Sequence, residues 1–236
     1  MLIRAVATDV DGTITDEGSF VSLEAIESIR ELERSGMAVM LCSGNALCVL
    51  KTLARYLGCT GPTIAENGAV VEYKGNIRVI GEKGKAKEVV EELKSTYGEK
   101  VRETWSNTYR LVDVAILRTL PLNAIKEVAN KFSGIKVVDS GFAFHIIDEK
   151  VDKGVGTQMA AEWAGIDLSE IAGIGDSITD LELLKACGYK CAVSNGHAEI
   201  KKIADFVSEK KYGEGFTEIA KRILTLNQVV VSNEPG

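Results

Sequence analysis

The sequence predicts an α/β fold in which a parallel sheet is covered by helices on both faces and interrupted by an inserted α+β segment. Short β-branched runs alternate with helical periodicity near both ends of the chain, which is the pattern of a parallel sheet. Between about residues 84 and 150 that alternation stops, and each helix there is followed by strands suited to a small antiparallel sheet. At 236 residues the chain can bury either one large core or two modest ones. The α/β part is therefore taken as residues 1–83 and 151–236, with 84–150 inserted into it.

The elements follow in order. "IRAVATDV" reads as a strand. A helix comes next, with the stripe Leu23, Ile26, Ile29 and Leu32, Ser22 as N-cap and Gly36 past its end. "MAVMLCS" is a second strand and Ala46 to Leu57 a second helix. "PTIAENGAVVEY" gives a short strand and an Asn-Gly turn into another. In the inserted segment, helix "KAKEVVEELKSTYG" precedes strand "YRLVDVAIL", and helix "LNAIKEVANKF" precedes strands "IKVVDS" and "FAFHII". The alternation then resumes. A helix from Val155 to Trp163 leads to strand "IAGIG", and a helix in "ITDLELLKACG" leads to strand "YKCAV". Helices from His197 to Ala204 and from Gly215 to Ile223 close the chain, and the tail after Leu226 carries no recognisable chemistry.

Composition narrows the function. A net charge of −6 argues against nucleic acid as the main partner, because phosphate backbones call for a basic surface. No apolar run approaches the roughly 20 residues of a membrane span, and "MLIRAVATDVDG" turns acidic too soon for a signal peptide. The five cysteines fit no zinc spacing and read as reduced thiols, so a cytoplasmic location is expected.

In open parallel sheets, ligands bind at the carboxyl ends of the strands. Four polar clusters fall at such ends. Asp9 and Asp11 follow the first strand two residues apart; a calcium loop would need glycine at its sixth position, which here is Ile14. Ser43, Gly44 and Asn45 follow the second strand, where a hydroxyl and free amides can hold a phosphate oxygen, though such a turn is also an ordinary helix entry. Lys153 stands before a helix, where the macrodipole disfavours a cation unless an anion is near. Asp176 could be a plain N-cap, but Asp180 lies four residues on, and such a pair repels without a cation. Hard oxygen ligands of this kind select Mg²⁺ over zinc or copper.

"DVDGT", "CSG", "DKG" and "GDSITD" occur in the order and approximate spacing of the four motifs of haloacid dehalogenase (HAD) phosphatases. The inserted segment lies between the second and third, which resembles the C2 cap class and its Cof-like branch, as does "ENGA" at residues 66 to 69. Within that branch the chain is most similar to archaeal-type phosphoglycolate phosphatases. One position departs from the branch: Asn45 stands where many members carry arginine, so a cationic phosphate contact is absent there or supplied elsewhere.

The resemblance implies a Rossmann-like core with an α+β cap and a Mg²⁺-dependent phosphomonoesterase acting on a small phosphorylated metabolite, most readily 2-phosphoglycolate. It leaves a homodimer open. Asp9 would be nucleophile and metal ligand. Asp11 would lend its carbonyl to the metal and its side chain to proton transfer. Ser43, Gly44, Asn45 and Lys153 would hold phosphate, and Asp176 and Asp180 would serve the metal. Arg110 and His145 are the candidates for a cap partner to the substrate carboxylate. A sugar-phosphate phosphatase, a phosphomutase and a non-enzymatic metal- or phosphate-binding module are the alternative readings.

Overall fold

The computed structural model describes residues 2–232, with side chains to residue 230. Strand β1 (Ala5–Thr8) leads through a loop to helix α1 (Leu23–Arg34), whose N-cap Ser22 accepts a hydrogen bond from the Ala25 amide. Strand β2 (Ala38–Leu41) and helix α2 (Leu47–Leu57) follow, and α2 ends at Gly58 in the left-handed region. Strands β3 (Thr63–Ala65), β4 (Val70–Tyr73) and β5 (Asn76–Val79) form an antiparallel ribbon at the edge of β2.

The inserted segment contains helix α3 (Lys83–Tyr97), strand β6 (Val114–Leu117), helix α4 (Leu122–Ala129) and strands β7 (Ile135–Asp139) and β8 (Ala143–Asp148). The chain then returns through helix α5 (Lys153–Ala164), strand β9 (Ile171–Gly175), helix α6 (Leu181–Ala186) and strand β10 (Tyr189–Ala192). Helix α7 (Ala198–Ile203), strand β11 (Phe206–Val207) and helix α8 (Tyr212–Ser232) complete it.

The main sheet is parallel throughout, in the order β11-β10-β9-β1-β2. Side chains alternate across a strand, so Val6, Val39 and Leu41 enter one buried layer with Ile29, Leu32 and Phe216. Ala5, Ala7 and Met40 enter the opposite layer with Ala160, Leu183 and Leu184. The inserted segment has its own sheet, β6-β8-β7, and its own buried cluster, in which Leu93, Ile116, Ile125 and Phe144 meet under α3 and α4.

Five elements differ from the sequence reading. Leu23 belongs to the periodic stripe yet is 79% exposed, because the buried face of α1 runs through Ala25, Ser28, Ile29 and Leu32. Strand β6 begins only at Val114; the residues before it form a tight turn at Trp105–Tyr109 and then bend toward the core. Strand β5 is exposed along its whole length and β11 has only two residues, so neither carries an apolar periodic signal. Helix α8 continues past Ile223 to Ser232, and Asn227, in the tail read as featureless, brackets the backbone of Ile3 with two hydrogen bonds. Residues 233–236 of that tail lie outside the described residues.

Candidate active site

Adjacent parallel strands end on the same side of a sheet, and that register assembles the site. Asp9 follows β1, its amide donating to the Ile174 carbonyl of neighbouring β9, while Asp176 follows β9 and Ser43 follows β2. Lys153 opens α5, with Asp152 capping the helix through the Val155 amide. The lysine is buried, and its Nζ lies 2.5 Å from both Asp9 Oδ1 and Asp180 Oδ1. Two carboxylates thus compensate a cation at a helix end that otherwise disfavours it.

The cluster carries more negative than positive charge. Asp9, Asp176 and Asp180 each offer an oxygen within 4.8 Å of the others, and Lys153 is the cation paired among them. Burial, and then the Asp180 and Asp176 charges, push the Asp9 carboxyl well above its usual range against the pull of Lys153. Burial and Asp180 likewise push Asp176 up to about 6. Burial works to lower Lys153, but the charges of Asp180 and Asp9 hold it well above its ordinary value.

The carboxylates differ in what they leave free. Asp180 accepts from Lys153 on Oδ1 and from the Asp176 and Ser177 amides and the Ser177 hydroxyl on Oδ2, so it is fixed in place. Among the described residues the Asp176 carboxylate accepts only from the Thr13 hydroxyl, on Oδ1. Asp9 Oδ2, Asp176 Oδ2 and the Asp11 carbonyl have no hydrogen-bond partner among the described residues. An all-oxygen donor set with surplus negative charge is what a hard divalent cation requires, so the residues present fit a metal ion.

Beside them lies a turn built to donate. Ser43 Oγ accepts from the Asn45 amide (3.1 Å) and from Asn45 Nδ2 (3.0 Å), which leaves the serine hydrogen free for an anion. The same Nδ2 lies 3.2 Å from Asp11 Oδ2, tying the turn to the second aspartate. Burial raises the Asp11 carboxyl, opposed by Lys153 and this hydrogen bond. The structure therefore brings Asp9, Asp11, Ser43, Gly44, Asn45, Lys153 and Asp176 to the wall of one cavity of about 760 Å³, with Asp180 behind them.

The inserted segment closes the other wall. Arg110 and His145 line the same cavity, and both bond Asp113, a fully buried carboxylate that sequence reasoning did not single out. Arg110 Nη1 also donates to the Gly44 carbonyl (2.9 Å). Glu66 is a second missed residue. It is fully buried beside the Ser43 turn and accepts the amides of Leu111 (2.8 Å), Val112 (2.8 Å) and Asp113 (3.2 Å). That grip is what bends residues 110–113 out of a longer β6.

Glu66, Asn67 and Gly68 all have positive φ (50°, 57° and 99°), and a Cβ at Gly68 would strike the Asp152 backbone. Two consecutive non-glycine residues in that region mark stored strain, which clusters at functional sites. Asn67 lines the cavity, and its buried Nδ2 has no hydrogen-bond partner among the described residues. A lone carboxylate in the apolar run "LVDVAIL" was a legible signal for Asp113; the quoted "ENGA" was the only signal for Glu66 and Asn67.

Comparison with known proteins agrees with this geometry. The family of haloacid dehalogenase-like hydrolases matches residues 6–110 and 119–219. A phosphoglycolate phosphatase of Methanothermobacter thermautotrophicus is 36% identical, over 94% of this chain and 99% of its own length. One from Methanospirillum hungatei is 39% identical, over 93% and 96%. The crystal structure of Thermoplasma acidophilum 0175 superposes with a TM-score of 0.87 at 30% identity, covering 95% of this chain and 99% of that one. With family, relatives and architecture in agreement, the chain belongs to the haloacid dehalogenase-like hydrolases, among relatives named as phosphatases.

Proposed function

We propose that the protein is a Mg²⁺-dependent phosphomonoesterase that hydrolyses 2-phosphoglycolate to glycolate and phosphate. The observation that carries this reading is the buried Asp9, held on Oδ1 by Lys153 and open on Oδ2, at the floor of a cavity whose Ser43 hydroxyl is free to donate. The relatives named phosphoglycolate phosphatase support the choice of substrate.

Asp9, Asp176 and the Asp11 carbonyl would hold Mg²⁺, which when bound offsets the repulsion between the Asp9 carboxylate and the phosphoryl oxygens. Asp9 attacks phosphorus to give an aspartyl-phosphate as the bond to the leaving oxygen breaks. Asp11, whose burial favours the protonated form, gives its proton to that oxygen and afterwards takes one from the water that hydrolyses the acyl phosphate. Lys153 and the Ser43 hydroxyl donate to phosphoryl oxygens as charge builds on them. Asp180 anchors Lys153 by its fixed position.

We further propose that residues 84–150 act as a cap that shields the cavity from water, and that the enzyme works in the cytoplasm. No described helix is long and apolar enough to cross a membrane. The test is phosphate release from a panel of phosphate esters with and without Mg²⁺. The reading expects Mg²⁺-dependent release with 2-phosphoglycolate preferred. Transfer to a second sugar in place of release would make the protein a phosphomutase, and no activity on any ester would leave only a binding module.

A further inference from the structure

Three ionisable side chains of the cap are buried together, Arg110 and His145 on the cavity wall that faces the acidic core and Asp113 behind them. Asp113, at the entrance to β6, is fully buried. Arg110 Nη1 lies 2.7 Å and 2.9 Å from its two oxygens, and His145 Nδ1 lies 2.5 Å from Oδ2. Burial works to raise the Asp113 carboxyl, but the His145 hydrogen bond and the neighbouring basic groups bring it below its usual range. An ionised Asp113 can only accept, so His145 Nδ1 carries a hydrogen. On the other side of the ring, Nε2 is 3.2 Å from Ser140 Oγ, whose own hydrogen goes to the Ala143 carbonyl. Both ring nitrogens therefore face acceptors.

The guanidinium has one place left for a ligand. Nε is directed to Ser106 Oγ at 3.2 Å, and Nη1 is taken by Asp113 and the Gly44 carbonyl. Nη2 has no partner among the described residues, although Arg110 is only 6% exposed and lines the cavity. A buried, oriented arginine with an open donor suits a planar anion. Its contact with Gly44, the residue after Ser43, sets that donor immediately beside the turn proposed to hold phosphate. The cavity of about 760 Å³ exceeds what a two-carbon ester fills, so a second anion contact rather than shape would select a short acidic leaving group.

We infer that Arg110 is a specificity residue that binds the carboxylate of the leaving group, so that the substrate class is the phosphate esters of short hydroxy acids. Asp113 and His145 are positioning residues that fix the guanidinium. This inference rests on the phosphatase reading above and narrows it.

The experiment compares 2-phosphoglycolate with 2-hydroxyethyl phosphate, which has the same number of carbons but a neutral end. Wild type is expected to favour the acid in kcat/KM. Arg110→Gln is expected to lower that ratio by about 10- to 100-fold, the range for a hydrogen bond to a charged group. An unchanged ratio overturns the inference, as does equal loss on both esters, which marks a role in closure alone. If Arg110→Gln does not fold, Arg110→Met is read on the same ratio, and an unchanged ratio there overturns it too. Binding of both esters to Asp9→Asn by calorimetry needs no turnover. Tighter binding of the acid supports the subsite, and equal affinities overturn it. A binding preference without hydrolysis of either ester by wild type would instead break the phosphatase reading.

Discussion

Two buried polar clusters face each other across one cavity, and they leave opposite kinds of group open. In the core, Asp9, Asp176 and Asp180 share the single cation Lys153. In the cap, Asp113 is paired with Arg110 and hydrogen-bonded to His145, and Arg110 Nη2 stays open among the described residues. Burying a charged group is costly unless partners offset it, so each open group indicates what the cavity is built to receive. The core lacks a cation and suits a metal ion. The cap leaves the Arg110 Nη2 donor open and suits an acidic ligand. A substrate with phosphate at one end and carboxylate at the other meets both needs.

The largest expected effect breaks the core half of this comparison. Asp9→Asn should lower turnover by roughly 10⁶-fold, the scale seen when a nucleophile is removed. Its melting temperature should stay within a few degrees of wild type, because the carboxamide oxygen still accepts from Lys153. Near-normal turnover would remove Asp9 from the nucleophile role. Next is Lys153→Ala, which strands Asp9 and Asp180 and should cost about 3–5 kcal/mol. Thermal melts should show Mg²⁺ recovering part of that loss; a metal-free variant as stable as wild type would mean that the cluster lacks no cation. For wild type, saturating Mg²⁺ should raise stability by about 2.7 kcal/mol at a hundred times its Kd. Titration with a chelator during melting checks this.

Smaller effects sharpen the cap half. Glu66→Gln puts a donor against backbone amides and should destabilise by about 1–3 kcal/mol, measured by urea unfolding. Asp113 gives the mildest change. Its folded pKa lies below its unfolded one, so it adds stability above the ordinary aspartate value that is lost as pH falls through that value toward the folded one. Asp113→Asn should therefore flatten the acid limb of stability against pH below about 4. An identical limb in both proteins would argue against the ion pairs.

The sequence made one half of this arrangement legible and hid most of the other. Asp9, Ser43 and Asp176 could be placed together because each follows an apolar strand, and parallel strands end on one side. Lys153 followed because a helix start needs an anion to hold a cation. Arg110 and His145 stood out as basic residues in the insertion, but nothing local tied them to Asp113. The shared carboxylate brings His145 together with a residue 32 positions away. Glu66 reaches Leu111, 45 positions away, and in doing so cuts β6 to half the length its apolar run suggests. Such pairings come from tertiary packing, which overrides local propensity.

The strained turn at Glu66–Gly68 gives each of three consecutive residues a different neighbour. Glu66 holds the cap backbone, Asn67 packs against Gly44, and Gly68 lets the Asp152 backbone approach. The portable unit of this enzyme is therefore not its inserted segment. A chimera that exchanged residues 84–150 alone would present Glu66 with foreign amides, and a poor fit would be felt by the lysine helix and the serine turn together. Recombination of caps among such enzymes should succeed when the Glu66 turn travels with the cap, even though it lies outside the insertion.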